Sequence, residues 1–118
     1  MSTVTVTAAT LKSRIEQNGI VLLDFWAAWC GPCRMFAPVF ETASEQHPDI
    51  VFGKVDTEAE QELAAAAGIT SIPTLMAFRD GVLVFSQPGA LAAPDLEDLI
   101  GRIRAIDPAE LTAAKARA

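Results

Sequence analysis

The sequence predicts an α/β domain whose sheet is parallel in its first part and closed by an antiparallel hairpin. Three observations carry that expectation. Ile20 to Trp26 is almost wholly apolar, as in a strand buried on both faces of a mainly parallel sheet. Strand-like and helical periods alternate along the chain in the order β-α-β-α-β-α-β-β-α. Asp80-Gly81 stands between two apolar runs, a strong hairpin signal. The 118 residues fit one domain, and half of them are apolar, enough for a core that needs no staples.

Each element has its own local reason. Thr3 to Thr7 alternates Val4 and Val6 with threonines, a short half-buried strand. Leu11 and Ile15 lie four apart in a first helix, and Asn18-Gly19 supplies its stop. After the strand Ile20 to Trp26, a helical pattern places Phe36, Val39, Phe40 and Ala43 on one side. Pro32 fits the first turn of that helix. Pro38 falls inside it, removes the bond to the Arg34 carbonyl, and predicts a kink. Ile50 to Val55 reads as a third strand. Thr57-Glu58-Ala59-Glu60 has the form of a capping box opening a helix with Leu63 and Ala67 inward and Gly68 at its end. Thr74 to Phe78 and Val82 to Phe85 are the hairpin strands. Pro94 opens a last helix with a stripe of Leu96, Leu99, Ile100, Ile103 and Ile106. Asp107-Pro108 is expected to end the packed domain, 1–107, and to leave 108–118 as a frayed helical extension.

Nine Lys and Arg against fifteen Asp and Glu give a net charge of −6, which argues against nonspecific binding to nucleic acid or to an anionic membrane. The first residues show no basic and apolar signal-peptide pattern, and no apolar run approaches the 18 or so residues of a membrane span. The expectation is a cytoplasmic protein. In that reducing compartment a C-x-x-C pair is more often catalytic or metal-binding than structural.

Cys30 and Cys33 are the only cysteines. In a helical first turn, residues three apart share a face with Cβ atoms roughly 5–6 Å apart. A disulfide needs roughly 3.5–4.5 Å, so a small adjustment closes it. The loop is so short that the bridge would add little entropic stability, which suits exchange better than bracing. The competing reading is half of a zinc site. Structural zinc nearly always takes four ligands, and the chain offers two cysteines and a distant His47, so ligand count favours redox chemistry.

Taken together, F-W-A-A-W-C-G-P-C, Arg34-Met35, Lys54, Ser71-Ile72-Pro73-Thr74, Asp80-Gly81 and Pro88-Gly89-Ala90-Leu91 resemble the thioredoxin family over residues 3–106. The resemblance implies the thioredoxin fold, a central mixed five-stranded sheet flanked by four helices. It also implies a small cytoplasmic monomer, with no bound cofactor, that reduces disulfides in other proteins. An NADPH-linked flavoprotein, thioredoxin reductase, would restore its dithiol.

The resemblance also gives the residues roles. Cys30, ahead of a helix whose first N–H groups are unpaired, would be the attacking thiolate at the open end of the turn. Cys33, one turn deeper and shielded, would resolve the mixed disulfide. Gly31 would let a substrate backbone approach, Pro32 would stiffen the turn, and Gly-Pro between the cysteines accompanies reductases in the family. Arg34 keeps the positive charge usual after C-G-P-C. Asp24, an acid in a buried strand, is either a structural carboxylate satisfied by hydrogen bonds or the base that takes the Cys33 proton. Lys54 either offsets that acid or snorkels at the sheet edge. Base rates make the Ile72–Pro73 bond trans; the family makes it cis, facing the cysteines and turning the Ile72 backbone toward an extended substrate. Gly89 would leave room across that groove and Trp29 would wall it. Trp26 reads as core and His47 as solvated. Two other functions stay open: a binding or assembly module with incidental cysteines, and a reductant dedicated to one partner enzyme.

Overall fold

Ile20–Trp26 forms the middle strand of a five-stranded sheet, buried along its length except at Trp26, which is half-buried. The computed structural model describes residues 2–117. In chain order its elements are β1 (Thr3–Thr5), α1 (Leu11–Gln17), β2 (Ile20–Trp26), α2 (Gly31–Gln46) and β3 (Val51–Asp56). They continue with α3 (Gln61–Ala66), β4 (Thr74–Arg79), β5 (Val82–Pro88), α4 (Ala93–Arg104) and α5 (Pro108–Arg117). The strands lie in the order β1-β3-β2-β4-β5. β3 runs parallel to both β1 and β2, whereas β4 is antiparallel to β2 and β5. The sheet is therefore mixed, parallel early and antiparallel late.

Strand alternation sorts the core into two layers. Leu22, Phe52, Leu75 and Ala77 share one cluster with Phe36 and Phe40 of α2 and with Leu96, Ile100 and Ile103 of α4. Val21, Leu23, Phe25, Val55 and Met76 face the other way, against Leu11 of α1 and Leu63 of α3. Phe40 ties helix to sheet, with ring centroids 5.6 Å from Phe36 and 5.1 Å from Phe52. Each such fully buried side chain contributes roughly 1.5–3 kcal/mol. Among the described residues no helix is long and apolar enough to cross a membrane.

The hairpin turn takes positive φ at both central residues, 51° at Asp80 and 84° at Gly81, which matches the twist of the strands it joins. At the end of α1 the Asn18 amide donates to the Arg14 carbonyl at 2.7 Å, so the asparagine itself caps the helix. Gly53 meets a tighter demand. A Cβ there would lie 2.6 Å from Val6 Cγ2 and 2.9 Å from Leu23 Cδ2, so glycine is what lets β3 sit under its neighbours.

Three expectations need correction. Thr57 does not cap a helix, because its N–H and its hydroxyl both donate to the Trp26 carbonyl, at 2.9 and 3.0 Å. α3 starts later, at Gln61, with no side-chain cap. His47 is not simply solvated: its Nε2 lies 2.8 Å from Glu97 Oε1 and its Nδ1 accepts from Arg104 at 3.0 Å. Arg104 also holds both Asp49 oxygens, at 2.6 and 3.0 Å, so the end of α2 is tied to α4. Packing also continues past Asp107, whose carboxylate accepts from Ala109 N–H at 2.9 Å to start α5, and α5 buries Leu111.

Candidate active site

The turn from β2 into α2 carries the two cysteines. Cys30 is the N-cap of α2 in an extended conformation (φ −84°, ψ 115°), and its sulfur accepts from the Cys33 N–H at 3.2 Å. The unpaired N–H groups of this first turn carry partial positive charge and favour a thiolate at Cys30. Pro32 stands in the same turn, where a missing N–H costs nothing. The Cα atoms of Cys30 and Cys33 are 5.2 Å apart and their sulfurs are at disulfide distance.

The expected contrast in exposure between the cysteines is absent, since the residues are 4% and 3% exposed. Direction distinguishes them instead. Cys30 lines an open groove of about 460 Å³ and Cys33 does not. Trp29, Gly31 and Pro32 share the cysteine side of the groove. Thr57, Ala64 and the run from Ile69 to Ile72 also line it. The Cys30 sulfur is 3.7 Å from the Ile72 carbonyl oxygen, so the loop before β4 reaches the reactive atom.

The Ile72–Pro73 bond is cis. Pro73 and Gly89 do not line the groove; the Gly89 N–H donates to the Pro73 carbonyl at 2.8 Å. Gly89 has φ 107°, a conformation that favours glycine. Trp29 is 67% exposed and its Nε1 donates to Glu58 Oε1 at 2.6 Å. Nothing lies within 4 Å of where a Gly31 Cβ would be.

Asp24 is fully buried on the face of β2 that α2 covers, the face it shares with Leu22. Its register partners are Lys54 on β3 and Leu75 on β4. Among the described residues, neither carboxylate oxygen has a hydrogen-bond partner. Burial pushes its pKa up to about 6, against the opposing pull of Lys54. Lys54 is half-buried on a strand flanked on both sides, so it is not at the sheet edge. Its ammonium lies 4.9 Å from the Trp26 ring centroid, a cation–π contact. Trp26 keeps a buried Nε1 with no hydrogen-bond partner among the described residues.

The fold thus brings Trp29, Cys30, Gly31, Pro32 and Ile72 to one groove, with Pro73 and Gly89 bonded to each other outside its lining. Asp24 and Lys54 are register partners on the neighbouring strands β2 and β3. Sequence reasoning missed Glu58, Thr57, Thr70 and Ser71, whose hydroxyls and carboxylate edge the groove or hold it. The capping-box pattern of residues 57–60 hid the first two, because it fits the residue types but not their partners.

The family described as Thioredoxin matches residues 2–102. A Streptomyces coelicolor protein named "Putative thioredoxin 2" is 55% identical over 115 residues, covering 98% of this chain and 86% of its own length. "Thioredoxin 1" of Synechococcus elongatus is 44% identical over 99 residues, 82% of this chain and 92% of that one. Among solved structures, a mutant thioredoxin from Halobacterium salinarum superposes with a TM-score of 0.81 at 38% identity, over 90% of this chain and 93% of that one. Plasmodium falciparum thioredoxin gives 0.77 at 36% identity, over 85% and 97%.

Proposed function

Since the chain belongs to the thioredoxin family and is a thiol–disulfide oxidoreductase, we propose that it works as a general reductant of protein disulfides. The observation that carries this reading is the position of Cys30. It caps α2, accepts the Cys33 N–H, and alone of the two cysteines opens to a groove.

In the reduced protein, the Cys30 thiolate attacks one sulfur of a target disulfide. A mixed disulfide forms, and the other target sulfur leaves as a thiolate. Cys33 then loses its proton to Asp24, directly or through a water, and attacks the Cys30 sulfur. The target leaves with both sulfurs reduced, its two electrons supplied by the Cys30–Cys33 pair. Asp24 suits the base role because a carboxyl raised to about 6 holds a proton better than an exposed one and still ionises near neutrality. Lys54, in register with it, supports the ionised form. Ile72 and Pro73 offer backbone to an extended target segment, Gly89 holds that loop, and Trp29 walls it.

We assign the dithiol's renewal to an NADPH-linked flavoprotein thioredoxin reductase, and read the protein as a cytoplasmic monomer. Residues 1–107 are the redox domain in this reading and 108–118 an extension packed on it. An insulin-reduction assay with and without the NADPH-linked reductase of the same source tests the proposal. Turnover that depends on Cys30 supports it; absence of turnover in both forms contradicts it.

A further inference from the structure

β5 (Val82–Pro88) is an edge of the sheet, with β4 its one strand neighbour among the described residues. Its sequence, V-L-V-F-S-Q-P, carries no charge, and Leu83 is 50% exposed. An apolar, uncharged edge is a template for pairing with another chain. Proteins blunt such edges with lysines, with very short strands, with bulges or with a covering helix. The opposite edge, β1, is blunted by its length of 3 residues. β5 has no lysine and one bulge, where Phe78 pairs with Leu83 but Ala77 with Phe85. Its cover is α5, which packs against it. Arg79, in register with Val82, donates through Nη1 to the carbonyls of Ile103 and Ile106, both at 2.9 Å. That ties the turn between α4 and α5 to the turn end of the hairpin. With 10 residues α5 is too short to be a stable helix by itself, so it depends on docking. Leu111, 5% exposed, is its one buried residue among those described.

We propose that α5 is a guard docked over the edge strand β5 through Leu111, and that the partner it excludes is β5 of a second copy of this chain. Two copies related by a twofold axis would pair these strands antiparallel, the same patch meeting itself. The strand's composition selects that partner. No charge in Val82–Pro88 repels an identical strand, and Val82, Leu83, Val84 and Phe85 would meet apolar side chains across the axis. Leu111 is the pin, because without it α5 keeps no buried side chain to hold it as a helix on the strand. The inference is independent of the redox chemistry, since neither β5 nor α5 contributes a residue to the groove lining. It gives 108–118 a task that the catalytic site does not require: keeping the protein a monomer.

The test is sedimentation velocity on the full chain over a range of concentrations, joined to amide hydrogen exchange. The cysteine pair is kept oxidised so that no disulfide forms between copies. Wild type should stay a monomer with α5 protected from exchange. Leu111→Asp should lose protection over Pro108–Arg117 and form a dimer. Its association constant should exceed that of wild type at least about tenfold, the effect on docking of losing one buried leucine. Exchange over Val82–Gln87 should slow in this variant as its concentration rises. Leu83→Lys, made at an exposed position in the Leu111→Asp background, should restore the monomer by setting like charges against each other across the paired edge. Leu111→Ala, a milder lesion, serves for the same comparison if the aspartate lowers the yield of folded protein. A dimeric wild type overturns the inference. So does a Leu111 variant that keeps α5 protected, because Leu111 would then not be the pin. A variant with α5 unprotected that remains a monomer overturns it as well. Association that survives Leu83→Lys also overturns it, by placing the contact away from the β5 edge.

Discussion

Asp24 faces Lys54 in register across the parallel pair β2–β3, yet among the described residues neither oxygen of its carboxylate has a hydrogen-bond partner. A fully buried acid resists ionisation, the lysine helps it, and burial wins, holding the pKa at about 6 against an ordinary 3.8. The position is poor for stability and suited to moving a proton.

Stability should therefore fall as pH rises through that interval. The folded protein holds the Asp24 proton more tightly than the unfolded chain, so the stabilisation is complete below about 3.8 and lost by the time pH passes about 6. The gap corresponds to about 3 kcal/mol. Asp24→Asn removes the charge at constant shape. It should be more stable than wild type by about 2–3 kcal/mol at pH 8, with the difference gone near pH 4. Denaturant unfolding of both proteins in the same redox form measures it; a difference independent of pH contradicts the assignment.

Kinetically, Asp24→Asn should leave the first attack by Cys30 close to wild type and slow release of the reduced target. Loss of a positioned base typically removes about 10²-fold or more. In wild type the release step should quicken as pH rises through about 6, where Asp24 becomes ionised, and that dependence should vanish in the variant. Stopped-flow traces that separate mixed-disulfide formation from decay show which step moves. Equal losses in both steps would sink the base role.

Gly53→Ala should destabilise the fold without touching the groove. The added methyl would sit 2.6 Å from Val6 Cγ2 and 2.9 Å from Leu23 Cδ2, and Val6 and Leu23 are both core residues. Overpacking of this kind costs about 1–3 kcal/mol. Thermal unfolding should show the loss, with the rate of disulfide reduction per folded molecule unchanged.

Arg104→Ala should release Asp49. The Arg104 guanidinium, bonded to both Asp49 oxygens, holds that carboxyl down to about 2. Without it Asp49 should titrate near the ordinary 3.8, as followed by its side-chain carbonyl resonance. An unmoved titration would mean that another group sets it.

What the sequence disclosed and what it withheld divide along physical lines. Ile20 to Trp26 was legible because a run apolar but for Asp24 marks a buried element, and Asp80-Gly81 because both positions need positive φ. The cysteine pair and Asp24 stood out by residue type against their surroundings. The start of α3 was misread because Thr57 spends its hydroxyl on the Trp26 carbonyl, a partner 31 residues away that no local pattern reveals. His47 joins Glu97 and Arg104 only after α2 and α4 pack, and part of the groove lining comes from α3 and the loop before β4. α5 gave little signal because its alanine-rich run buries only Leu111.

The order in which the cysteines act is the centre of the mechanism, and trapping measures it most directly. Cys33→Ser and Cys30→Ser variants are mixed separately with the same disulfide-containing protein, and the adducts are identified by mass spectrometry. Cys33→Ser should accumulate a mixed disulfide through Cys30, and Cys30→Ser should form almost none. Adducts through Cys33 that appear as fast as those through Cys30 would contradict the assignment of attack to Cys30 and of resolution to Cys33.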